Sequence, residues 1–159
     1  MKKLILTLFV YLINLTNANA NNNNFNQVCN ALEQHQIYTN KNENFCLSPY
    51  IQLHGKNEYL RNNIAYYVEK NDNNKISKIY LVLNINQPKF KNNDIKTLIN
   101  LSQSLTKKIT DSELPIKFIT AIKNKTNINE NINDYNIEVK HDIWPTGRGY
   151  GTHFIIRPK

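Results

Sequence analysis

The chain has 159 residues, a formal net charge of +8, 40% hydrophobic and 20% charged residues, and only 4 Gly and 5 Pro. That composition excludes a collagen-like fibre and a low-complexity disordered segment, and the length suits one domain. Two cysteines and four histidines without metal-ligand spacing give no basis for a metal framework.

The N-terminus reads as an export signal. Lys2 and Lys3 supply a positive start, Leu4 to Ile13 are apolar apart from Thr7, and Ala18-Asn19-Ala20 offers small residues for cleavage. The apolar run is about half of what a membrane span needs, so residues 1–20 are expected to be a cleaved signal peptide and 21–159 a single domain. Cleavage removes two lysines and no acidic residue, leaving 18 basic against 12 acidic side chains, a net +6. No later segment is long and apolar enough for an anchor. The style of the leader and the 29 asparagines, with frequent Lys and Ile, point to a bacterium with an AT-rich genome. The lysines are scattered and define no basic stripe, which speaks against sequence-specific nucleic-acid binding.

Export into the periplasm or beyond places the two cysteines where disulfides persist. Cys29 and Cys46 have one intramolecular pairing, expected as a bridge closing a short loop. Cys46 is out of phase with Phe45, Leu47 and Ile51, so the bridge requires a bulge in that strand or a strand that starts after Cys46.

Along the mature chain, Asn21 to Asn24 read as a disordered tip. Phe25, Val28, Cys29, Leu32 and His35 recur at helical spacing. Phe45 to Leu53 alternate as a first strand, with Pro49 tolerated best at a sheet edge. Ile64 to Glu69 form a second strand, the Asn71–Asn74 run a turn, and Ile79 to Ile85 a third, linked to its neighbours as an antiparallel meander. Asp94 reads as the N-cap of a helix whose apolar stripe includes Ile95, Leu98, Leu105 and Ile109. Ser112, Glu113 and Pro115 signal a second helix start, with a strand over Ile116–Ile122 as the alternative. Lys123 to Asp134 read as an exposed loop. Two last strands, around Ile137–Ile143 and Thr152–Arg157, flank a hairpin connection from Trp144 to Gly151. The expected fold is α+β, an antiparallel sheet of about five strands with helices packed on one face.

No residue constellation specifies a reaction, and no catalytic residue, metal or cofactor is assigned. The segment Pro145–Gly151 gathers three of the four glycines around Arg148 and Tyr150. Glycines let backbone amides turn towards an anion and Arg148 can grip a phosphate or carboxylate, although a hairpin needing left-handed residues explains the glycines equally well. Arg148, Tyr150, Trp144 and Tyr67 are therefore the expected contact residues for a ligand or partner. Tyr66 and Tyr67 point to opposite faces of their strand, one towards the core and one outward. The function this suggests is non-catalytic binding to a protein or cell-envelope component. One alternative is a small exported hydrolase of an anionic polymer, drawing on His54, Glu58, Glu69, Arg148 and His153. Another is a secreted effector or inhibitor.

Overall fold

The computed structural model describes residues 24–56 and 60–159, so the expected signal peptide and Glu58 lie outside the described residues. The chain opens with a short helix, α1 (Phe25–Cys29), capped by Asn24, whose side-chain Oδ1 accepts the Asn26 amide at 3.0 Å. Asn24 thus belongs to the fold rather than to the expected tip. A 3-10 turn (Glu33–His35) follows. Five strands come next: β1 (Asn40–Lys41), β2 (Phe45–Leu47), β3 (Ile51–Gln52), β4 (Asn63–Lys70) and β5 (Ile76–Ile85). Helices α2 (Lys91–Thr110) and α3 (Ile116–Asn124) precede strands β6 (Ile128–Ile132), β7 (Tyr135–Ile143) and β8 (Tyr150–Pro158).

Among the described residues the strands form one antiparallel sheet of eight, ordered β1-β2-β4-β5-β8-β7-β6, with β3 also paired to β4. The fold is α+β as expected, but eight strands replace about five. The additions are β1, β6 and the division of the first expected strand into β2 and β3. That division is a bulge. Leu47 sits opposite Tyr67 and Ile51 opposite Ile64, so one residue more is spent on the edge than on β4. The insertion falls at Pro49-Tyr50, where proline is tolerated. The Tyr66 amide there donates to the Ser48 hydroxyl at 2.9 Å. This phase change resolves the cysteine conflict. Cys46 pairs with Val68 and turns inward, as does Ile51 beyond the bulge, while Phe45 is left partly exposed. Cys29 and Cys46 form a disulfide with Cα atoms 6.0 Å apart.

The core follows the period-2 rule. Ile64, Tyr66 and Val68 of β4, Ile79, Leu81, Leu83 and Ile85 of β5, Ile137 and Val139 of β7, and Phe154 and Ile156 of β8 are buried. They form one cluster with Val28 and Cys29 of α1, Leu98, Leu105 and Ile109 of α2, and Phe118 and Ile122 of α3.

Two further expectations change. Helix α2 starts at Lys91, following a 3-10 turn begun by Pro88, so Asp94 stands inside the first turn and is not the cap. The expected loop 123–134 contains β6. Ile128, Glu130 and Ile132 lie towards the core side, opposite Val139, Ile137 and Tyr135, and the intervening asparagines face out. Helix α3 forms after Pro115, so the alternative strand is absent there. Among the described residues, no helix is long and apolar enough to cross a membrane.

Candidate functional site

The four expected contact residues fall into two places. Trp144, Arg148 and Tyr150 cluster at the β7–β8 connection, whereas Tyr67 lies on β4 on the face opposite the core.

The connection is built by its glycines. The Gly147 amide donates to the Trp144 carbonyl at 2.8 Å and the Trp144 amide to the Gly149 carbonyl at 3.3 Å. Gly147 has φ +65°, a left-handed geometry that glycine adopts at least cost. At Gly149 a Cβ would stand 2.6 Å from the indole of Trp144. Trp144 thus lies against the Gly149 backbone and shapes the turn, a structural task, while Arg148 is left exposed between the two glycines.

Beside this turn is a cleft of about 430 Å³, bordered by Pro88, Lys125, His141, Ile143, Arg148 and Tyr150. Tyr150 opens β8 and is buried, yet among the described residues its hydroxyl has no hydrogen-bond partner. Burial, and next the charge of Asp94, raise its pKa. Lys125 ends α3 in a left-handed conformation, which brings its Nζ 4.1 Å above the Tyr150 ring. Ile143 is 83% exposed and adds an apolar wall. His141 fits a neutral tautomer whose Nε2 donates to the Ala121 carbonyl at 3.3 Å and whose Nδ1 accepts from the Thr152 hydroxyl at 3.0 Å. Burial, reinforced by the Lys125 charge, lowers its pKa. Among the described residues neither Lys125 nor Arg148 forms an ion pair, and no carboxylate lines the cleft. Such a space can receive an anionic group attached to an apolar body.

Lys125 and Ile143 escaped sequence reasoning. Lys125 is one lysine among many, and its value depends on how α3 ends.

On the other sheet face Tyr67 stacks on its cross-strand neighbour Tyr80, with centroids 4.7 Å apart. The Tyr80 hydroxyl donates to Glu69 at 2.7 Å. Tyr66, one residue earlier, is buried and donates to the Val28 carbonyl at 2.6 Å. The division of the two tyrosines between the faces is therefore as expected.

The groups considered for hydrolysis do not meet in one cleft among the described residues. His153 is paired with Asp142 at 3.1 Å on the outer face, and Glu69 serves Tyr80. His54 has a partner that sequence reasoning missed. Its Nδ1 lies 2.6 Å from Asp94 Oδ1, and Asp94 Oδ2 accepts from Asn62 Nδ2 at 2.6 Å. Asn62 is in turn fixed by the Gln87 amide and carbonyl. Asp94 is fully buried, while the His54 side chain is 53% exposed. Among the described residues no group of three or more His, Cys, Asp or Glu side chains is arranged to hold a metal ion.

Comparison with protein families, characterised proteins and solved structures finds no match.

Proposed function

We propose that this chain is an exported bacterial domain, periplasmic or secreted, that acts by binding and without a cofactor. In this reading the helices cover one face of the sheet and the cleft beside the last hairpin receives an anionic group of a protein or cell-envelope partner. The alternation of burial along β5 and β7, and the cluster that the sheet's buried residues share with α1, α2 and α3, support the layered arrangement. The disulfide supports an oxidising destination.

The observation that carries the binding reading is the pair Lys125 and Arg148. Two cations without ion-pair partners among the described residues border an apolar cleft around Tyr150 and Ile143. An anion there gains charge-assisted hydrogen bonds from Arg148. The test is an amide NMR titration of the mature protein with phenyl phosphate and with benzyl alcohol as the uncharged control. Saturable shifts at Arg148 and Tyr150 with the phosphate alone, lost in Lys125→Ala/Arg148→Ala, are expected. Equal responses to both probes, or none, would overturn the assignment of the site.

One observation favours the hydrolytic alternative. A buried carboxylate orienting a half-exposed imidazole is a geometry suited to general-base chemistry. An assay of RNA cleavage by the purified protein distinguishes the two. Binding alone predicts no turnover, whereas turnover abolished by His54→Ala would favour the hydrolase.

A further inference from the structure

We infer that the protein self-associates through the free edge of β6, two copies joining antiparallel about a two-fold axis at Glu130. The inference is independent of the cleft.

The two edges of the sheet are treated differently. At one end, β1 has two residues, and β2 and β3 are interrupted by the bulge at Pro49-Tyr50. Short strands, proline and bulges are devices that discourage pairing with another chain. At the other end β6 runs five residues in unbroken register with β7 and, among the described residues, pairs with nothing on its other side. It contains no proline and no lysine.

Its sequence, Ile128-Asn129-Glu130-Asn131-Ile132, reads the same in both directions. Antiparallel pairing centred on Glu130 therefore sets Ile128 opposite Ile132 of the second copy and Asn129 opposite Asn131. Like pairs with like across the axis, as an isologous interface requires. Facing isoleucines and facing amides are both favourable cross-strand pairs.

The facing glutamates would repel if they were bare, but each already holds the ammonium of Lys117. Two copies bring two carboxylates and two ammonium groups to the axis, a neutral cluster. Five strand residues from each copy lie at the small end of specific interfaces, so the dimer is expected to be weak and concentration-dependent.

Sedimentation velocity of the mature protein from about 5 µM to about 1 mM tests this. A reversible monomer–dimer equilibrium is expected. Glu130→Lys puts four like charges at the axis and should weaken it at least tenfold, and the swap Lys117→Glu/Glu130→Lys should restore it. Asn129→Lys/Asn131→Lys, at exposed positions, provides a second block that spares the core, and thermal melts check that each variant is folded. A protein that stays monomeric at about 1 mM overturns the inference, as does a dimer indifferent to either block. The first result would leave the edge to a strand from a different protein.

Discussion

Replacing Cys29 and Cys46 together by alanine removes the bridge that holds the N-terminal helix on the sheet. The cysteines are 17 positions apart. In the chain-entropy treatment, freeing a closed loop of about 18 residues in the unfolded state costs about 3 kcal/mol at 25 °C. An unfolding entropy of about 2 cal/mol/K per residue over a domain of about 140 residues converts this to a fall in Tm of about 10 °C. Both sulfurs come from fully buried residues, so their truncation adds to the loss. Beyond the bridge, α1 is held by the burial of Val28 in the core and by Lys70 over the Phe25 ring. Its five residues are too few for a helix to persist alone, and the Tyr66 hydroxyl on the Val28 carbonyl and the Thr39 hydroxyl on the Cys29 carbonyl are its main polar anchors. Melts followed by circular dichroism should compare oxidised protein, reduced protein and the double variant, with the last two falling together. A double variant melting within about 3 °C of the oxidised protein would refute the claim that the bridge restrains the unfolded chain.

Asp94→Asn replaces one acceptor oxygen of a fully buried carboxylate by a donor that faces either His54 or Asn62. A loss of about 2–4 kcal/mol in urea unfolding is expected. The folded-state pKa of His141 lies below its ordinary value of 6.5 because of burial, and that of His153 is lowered in the same direction for the same reason. The unfolded chain therefore binds protons that the folded chain refuses. Stability should be full above about pH 6.5 and fall as pH drops below it, with a shallower fall in His141→Gln, read from urea midpoints across that range. Gly149→Ala drives a methyl into the Ile85 carbonyl oxygen and the Trp144 ring and should cost at least about 1–3 kcal/mol, measurable as a lower Tm, whereas Arg148→Ala, at an exposed position, should leave the Tm unchanged.

Strands β4, β5 and β7 were legible because one face of each is apolar at alternate positions, a pattern only a half-buried strand requires, and β8 from its apolar run Phe154 to Ile156. The long stripe of α2 and the disulfide were legible for comparable reasons. β6 was not. As an edge strand it buries little, and its isoleucines alternate with asparagine and glutamate in a stretch whose composition resembles a loop. The start of α2 was misread because Asp94 has the chemistry of a cap. Its carboxylate instead serves His54 and Asn62, residues more than 30 positions away. The candidate site was half legible. The glycines pointed to the turn carrying Arg148, but Lys125 reaches Tyr150 only through the left-handed end of α3, and the separation of Tyr67 from the cleft is decided by strand register. Local pattern reports which residues are buried and is nearly silent about which distant ones meet.

The extra residue at Pro49-Tyr50 is what lets Cys46 and Ile51, an odd number of positions apart, face the same side of the sheet. Straightening this stretch at its present length would force a choice: either the sulfur keeps its inward aim and Ile51 rotates into water, or the reverse. Removing the extra position would instead leave the two in phase on a plain strand. Shortening here should therefore be tolerated with the disulfide intact, whereas loss of the kink without loss of a residue should not.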